Sequence, residues 1–344
     1  MAQAILAQAC QCCMWLRRSR LQSVSLAVAL GLRHITWRQG QVGPSACSFA
    51  VRRLPSYINR SGKPTSMACA AGETEGEQPA ADAATCSPAR AFQIDRDYRI
   101  VASEAGSMRN DIPIFATEPG AVHLDDSSKP AVSREECPDI PGAFVLHDVC
   151  TPAECEQIIA ASESMGYTED APVSLGRNIR QNENCVWIAD GPLNEVLFKR
   201  CEALLPSVGE SRPVGLNARW RLYKYNHNDI FRMHTDGAWP GSGIHPKSGR
   251  LVGDLYGDRF SKLTWVLYLN DDFEGGETRF FRPEGPRHVS VQGDIPARRG
   301  SVLCFFHGTH HLSPLHEGAL VKNGTKYIVR SDVLYMNPSG PARN

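Results

Sequence analysis

The sequence predicts an α+β protein whose core is a double-stranded β-helix (a jelly roll), with supporting helices on its N-terminal side. Three observations predict it. From Val214 onward, eight short apolar stretches are separated by Gly, Asn, Asp and Pro, the pattern of short strands joined by turns. Ahead of them, two segments carry apolar residues at helical period behind capping residues. Helices first and strands after is an α+β order. The chain's 344 residues suffice for one large domain or two small ones. Formal net charge is zero, so bulk charge makes no case for a nucleic-acid partner. No apolar run approaches the ~20 residues of a membrane span.

Residues 1–90 read as a targeting segment followed by a disordered linker. No acidic residue precedes Glu73, whereas Arg17, Arg18, Arg20, Arg33, Arg38 and further basic residues do. Acid-poor, Arg-rich and Ser-containing is the composition of an organellar transit peptide, for chloroplast or mitochondrion. A secretory signal leading to the endoplasmic reticulum competes, with Arg17–Arg20 ahead of the apolar Val24–Leu32, and Met67 offers an internal start for a cytosolic form. Residues 70–90 turn acidic and Ala/Glu/Pro-rich, as a linker does.

Residues 91–213 are expected to form a helical and extended support region, with 91–140 irregular. A strand is expected to begin within Pro141–Leu146. Thr151-Pro152-Ala153-Glu154 then supplies an N-cap, a proline at the first helical position and acid in the first turn. That helix should run to about Met165 and stop at Gly166. A second is predicted over Pro192–Leu205, with Leu193, Val196, Leu197, Cys201 and Leu204 at helical spacing. Cys137, Cys150, Cys155, Cys185, Cys201 and Cys304 show no zinc spacing and are expected as buried free thiols.

Residues 214–338 form the predicted jelly roll. Its strands are expected at Leu216–Tyr225, Phe231–Thr235, Lys262–Leu269, Glu277–Phe281, Val289–Val291, Ser301–Phe306, Pro314–Glu317 and Lys326–Leu334. Between Gly237 and Phe260 lies a long Gly/Pro-rich insertion, expected as a lid or substrate loop.

The chemistry centres on His234-Thr235-Asp236. Side chains two apart on a strand share a face, so one neutral nitrogen and one carboxylate point into one interior. Two histidines and a carboxylate with open positions are the ligand set of non-haem Fe(II) oxygenases. His307, His310, His311 and His316 compete for the third place. Tyr225 stands nine residues before His234 on the preceding strand, and its hydroxyl could reach an anionic ligand. Lys326 inside a barrel needs an anion, because a buried unpaired ammonium is very costly. Arg330 and Asp332 share its strand face, so Arg330 either pairs with Asp332 or reaches a ligand.

In order, these residues resemble the Fe(II)/2-oxoglutarate-dependent dioxygenases of the prolyl 4-hydroxylase alpha-subunit type. That family carries Y-x-x-G-x-x-F/Y-x-x-H-x-D, then Y-L-N/S-D and G-G-E-T, then H-x(9)-K. Here they stand as Tyr225, Phe231, His234 and Asp236; Tyr268-Leu269-Asn270-Asp271 and Gly275-Gly276-Glu277-Thr278; and His316 with Lys326. The chain departs at Asn228, where the family has Gly, and around Tyr327, where collagen-type members carry Trp and Lys nearby. The resemblance selects His316 as third ligand and implies Fe(II) on His234, Asp236 and His316. It implies 2-oxoglutarate with its distal carboxylate on Lys326 and Tyr225, and Arg330 lining the cosubstrate or substrate pocket. It also implies O2 as oxidant and L-ascorbate as the reductant that rescues iron. The expected substrate is a protein or peptide, with proline the first candidate. The alternatives are a small metabolite or non-prolyl side chain for the same chemistry, or a catalytically silent jelly-roll binding module.

Overall fold

The computed structural model describes residues 91–127, 129–170, 179–285 and 288–337. The targeting and linker expectations for residues 1–90 lie outside the described residues. The protein is rich in sheet and has few helices. Its largest sheet has ten strands. Nine run in the order β1 (Tyr98–Glu104), β2 (Ile112–Thr117), β6 (Glu183–Ile188), β8 (Arg219–Tyr225), β19 (Lys326–Met336), β12 (Arg259–Tyr268), β16 (Val302–Phe306), β4 (Phe144–His147) and β3 (Ser133–Glu136). The tenth, β7 (Pro213–Leu216), pairs with the far end of β19. A second sheet runs β15 (Val289–Ile295), β14 (Thr278–Pro283), β17 (Leu315–Gly318), β9 (Ile230–His234) and β5 (Arg180–Gln181). Two short two-stranded sheets complete the set among the described residues, β10 (Gly243–Ile244) with β11 (Leu251–Val252), and β13 (Glu274–Gly275) with β18 (Val321–Asn323).

All eight strands expected after residue 213 are present, with shifted ends. The expectation of an irregular 91–140 is corrected, because β1, β2 and β3 lie there and join the large sheet. Pro113 falls inside β2. The structure accommodates it because the parallel ladder to β6 begins only at Ile114, so the missing N–H falls outside that ladder.

Alternation along β19 sorts its side chains onto two faces. Val329 and Val333 join Leu222, Trp220, Trp265 and Leu267 in one apolar cluster. Helices α1 (Pro152–Met165) and α2 (Gly191–Cys201) supply Cys155, Ile158, Ala161, Leu193, Leu197 and Cys201 to it. Each such buried aliphatic side chain contributes about 1.5–3 kcal/mol. α1 begins with a capping box: Thr151 Oγ1 accepts from Glu154 N at 3.3 Å, and Glu154 Oε2 accepts from Thr151 N at 2.8 Å. Glu154 also accepts a two-pronged pair from Arg200 of α2, at 2.8 and 2.9 Å, which ties the helices together. Gly166 ends α1 with φ +93°. The second helix is shorter than expected, turning to a 3₁₀ segment at Glu202–Leu204. The six cysteines are free, and all but the half-buried Cys137 are buried.

The opposite face of the large sheet meets the second sheet. Tyr223, Tyr225, Val266, Tyr268, Ile328, Leu303 and Phe305 pack there with Phe280 of β14 and Val321 of β18. Two sheets closed over one interior form the jelly-roll-like arrangement, and the site lies in that interior. No described helix is long and apolar enough to cross a membrane.

Candidate metal centre and cosubstrate pocket

β9 and β17 are antiparallel neighbours in which His234 stands directly opposite His316. Their ring centroids are 4.3 Å apart. The β8–β9 turn that delivers His234 passes through Asn228 at φ +68°, a left-handed position that Asn tolerates in place of the resembling family's Gly. His234 Nδ1 donates to the Arg232 carbonyl at 2.8 Å, and His316 Nδ1 to the Pro314 carbonyl at 3.3 Å. Both rings are thereby fixed with Nε2 free, as metal-ligating histidines are. His234 Nε2 is 3.8 Å from Asp236 Oδ1, and His316 Nε2 is 3.8 Å from Asp236 Oδ2. One ligand atom from each of the three lies within 4.8 Å of the others, close enough for one ion among them.

The electrostatics suit a cation. Burial, helped by His316, pushes the His234 imidazole down to about 3, and burial lowers His316 too. Both are neutral donors near neutral pH. Burial would raise the Asp236 carboxyl, but Arg330, then His316 and His234, outweigh it and hold it well below the carboxylate range. Phe231 stacks on His234 at 3.7 Å between centroids, and Phe305 meets His316 edge-on at 4.6 Å. Two imidazoles and an ionised carboxylate behind aromatic walls fit Fe(II), whose 2-His-1-carboxylate set leaves positions open.

A polar chain supports Asp236 from behind. Thr264 Oγ1 donates to Asp236 Oδ2 at 2.7 Å, so His307 Nδ1, 2.9 Å from that hydroxyl, must be the donor to it. His307 Nε2 then accepts from Ser261 Oγ at 2.9 Å, and Ser261 Oγ accepts from Trp239 N at 2.8 Å. His307 is thus occupied behind the site, and His310 stacks between Phe306 and His311. Thr264 was missed in the sequence reading. Its signal was a lone hydroxyl in the apolar run Leu263-Thr264-Trp265-Val266.

Lys326 lies opposite Tyr225 in the β8–β19 register and is 2% exposed. Its ammonium donates to the Gly276 carbonyl at 2.5 Å and stands over the Tyr225 and Tyr268 rings at 5.3 and 5.5 Å. Among the described residues no carboxylate forms an ion pair with it. Burial lowers it to about 8. Burial raises the Tyr225 phenol, so that hydroxyl stays protonated and can donate. A cation without a counter-ion, beside a donor hydroxyl, fits the distal carboxylate of 2-oxoglutarate. Tyr268, whose hydroxyl meets Thr278 Oγ1 at 2.7 Å, makes the third wall. Arg330 is placed differently. Its guanidinium is 3.4 Å from Asp236 Oδ2 and 3.0 Å from Asp332 Oδ1, while its Nε is buried without a hydrogen-bond partner. A separate cleft of about 680 Å³ is lined by none of these site residues.

These features fit a non-haem iron site of the dioxygenase class. The family model of the 2OG-Fe(II) oxygenase superfamily matches residues 220–331, which contain the triad, Tyr225, Lys326 and Arg330. The match marks residues 220–331 as a 2-oxoglutarate-dependent Fe(II) dioxygenase domain, of a superfamily that takes Fe(II), 2-oxoglutarate and O2. Among solved structures it is similar to a viral collagen prolyl hydroxylase from Paramecium bursaria Chlorella virus-1 in its 2-oxoglutarate complex. Identity there is 16%, coverage 58% of this chain and 98% of that one, and TM-score 0.38. A Pseudomonas putida prolyl-4-hydroxylase is 17% identical, covering 56% and 92% at TM-score 0.35. A Trichoplax adhaerens prolyl hydroxylase, solved with a hypoxia-inducible-factor peptide fragment, is 17% identical, covering 58% and 84% at TM-score 0.37. No curated protein sequence matches the chain.

Proposed function

We propose that this dioxygenase hydroxylates a prolyl residue in a protein or peptide. Iron would be held by His234 Nε2, His316 Nε2 and the Asp236 carboxylate. The distal carboxylate of 2-oxoglutarate would meet Lys326 and the Tyr225 hydroxyl. When bound, iron and cosubstrate supply the O2-dependent oxidative decarboxylation that is coupled to hydroxylation of a C–H bond. The chain's residues do the positioning. The Arg232 and Pro314 carbonyls hold both imidazoles in one tautomer, Thr264 and Arg330 hold Asp236 ionised, and Phe231 and Phe305 wall the rings from water. Ascorbate would restore iron oxidised in turnovers without substrate.

The observation that carries this reading is the pairing of the triad with Lys326, a buried ammonium left without a carboxylate, in one interior. The prolyl substrate is supported by the order of motifs from Tyr225 to Lys326. The test is Fe(II)-dependent succinate formation by the full chain, with ascorbate present and with or without a proline-rich peptide. Peptide-stimulated succinate, 4-hydroxyproline in the hydrolysed peptide and loss of both in Asp236→Ala are expected. Slow succinate formation indifferent to the peptide would turn the search to small metabolites or other side chains. No turnover with iron demonstrably bound would favour the silent binding module.

A further inference from the structure

Arg221 is a second inner-face cation without a carboxylate. It lies opposite Arg330 in the β8–β19 register, and Tyr223 and Tyr225 follow at the next two positions of the same face. On its other side it opposes Val186 of β6. Its guanidinium carbon stands 5.1 Å from the Trp239 ring centroid. Trp239 belongs to the 237–260 insertion, and Ile244 and Leu251 of that insertion pack on the Val186 cluster. The insertion therefore covers the strip of sheet that Arg221 shares.

Two neighbouring arginines have carboxylates: Arg219 pairs with Glu104 at 2.6 Å and Arg330 with Asp332 and Asp236. Arg180 Nε donates to the neutral Asn182 Oδ1 at 2.9 Å. Arg221 forms no ion pair with any described carboxylate. Burial lowers its pKa and repulsion from Arg330 lowers it further, against a smaller opposing pull from Tyr223 and Asp332. The Arg180 guanidinium lies 4.6 Å from the Tyr223 ring, so two arginines flank one phenol of the inner face. Arg221 is half-buried, and a guanidinium held there beside a like charge carries a cost that an anionic partner would offset. An apolar side chain there would pack without that cost.

We propose that Arg221 is a substrate-binding residue that pairs with a carboxylate carried by the substrate beside the carbon to be hydroxylated. The inference rests on the substrate reading above and narrows it. The guanidinium fork matches a carboxylate. Arg221 sits in the row of Arg330, which itself touches the ligand Asp236, so the anion is held near the reacting end of the pocket. The carboxylate has two sources, an acidic side chain next to the proline of a peptide or the α-carboxylate of a free amino acid.

The test is calorimetric binding to the full chain with Fe(II) and 2-oxoglutarate under nitrogen. Four matched peptides vary two features: Pro or Ala at the centre, and Glu or Gln on both flanks. L-Proline against L-prolinamide repeats the charge comparison on a free amino acid. The wild type should bind the Glu-flanked proline peptide, or L-proline, about tenfold tighter than its neutral partner, as a charge-assisted bond implies. Arg221→Gln should lose that preference, and Arg221→Glu should prefer Lys-flanked peptides, a gain that misfolding cannot mimic. If those variants fail to fold, Arg221→Lys decides: a weakened preference supports the pairing and an unchanged one overturns it. A Glu preference that ignores whether Pro or Ala is central keeps the carboxylate pairing and removes the prolyl reading. A proline requirement with no charge preference in either series overturns the pairing and keeps the prolyl reading. Neither preference removes both.

Discussion

Lys326 and Arg330 stand four residues apart on the same face of β19, and both are buried, at 2% and 6% exposure. Their surroundings are opposite. Arg330 has Asp236 and Asp332 within 3.4 Å, and these carboxylates raise its pKa against the cost of burial. Lys326 has a backbone carbonyl and two aromatic rings, and burial lowers it to about 8. The fold supplies the counter-ions of one cation and leaves the other to be completed. A buried cation that brings its own anions is part of the scaffold of the site, whereas one without them marks where an anionic ligand goes.

The most damaging way to probe this contrast is Arg330→Met. It keeps the length of the side chain and strands two carboxylates beside each other. Unfolding in urea should show a loss of about 3–5 kcal/mol, the usual cost of breaking a buried pair from one side. Lys326→Met removes an ammonium with no ion-pair partner and should leave the cosubstrate-free protein as stable as wild type or more so. Its penalty appears with 2-oxoglutarate. The KM for cosubstrate should rise by about 30–100-fold, as loss of a buried charge partner worth about 2–3 kcal/mol implies. Equal destabilisation by the two substitutions would erase the distinction between them.

Thr264→Val sharpens the same comparison from the Asp236 side. It keeps the shape of Thr264 and removes the hydroxyl that donates to Oδ2 at 2.7 Å. Iron affinity, measured by competition with a chelator, should fall about 10–100-fold, the range for an outer-shell partner. The KM for 2-oxoglutarate should stay near wild type, because Thr264 does not line the Lys326 end.

The local signals carried much of this architecture. Thr151 caps the helix as expected, with Glu154 in its first turn, and the eight strands expected after residue 213 follow from alternation and turn residues. His234, Asp236 and His316 meet as the motif spacing implied. What stayed hidden depends on contacts across the fold. Ile112–Thr117 is held between β1 and the sequence-distant β6, and that second pairing has no local signature. Arg330 is expected to pair with Asp332 or reach a ligand, and its contact to Asp236, just past the end of β9, has no local signature. Arg221 looks in sequence like any arginine of an alternating strand. Only the absence of a carboxylate across the sheet distinguishes it from Arg219, which has Glu104.

The smallest expected effect is a pH dependence with two opposite signs. In the cosubstrate-free protein Lys326 titrates at about 8, below its ordinary unfolded value of about 10.4. Between those values the unfolded chain binds more protons than the folded one, so stability rises with pH through that window. Cosubstrate affinity runs the other way. The carboxylate of 2-oxoglutarate needs the charged ammonium, so binding is full below about pH 8 and weakens above it. Between pH 7 and pH 9 affinity should fall about tenfold, the change in the protonated fraction of a group titrating near 8. Lys326→Met should flatten both profiles together. A 2-oxoglutarate affinity that stays level from pH 7 to 9 in the wild type, with the stability rise intact, would mean that Lys326 is a buried amine the cosubstrate does not touch.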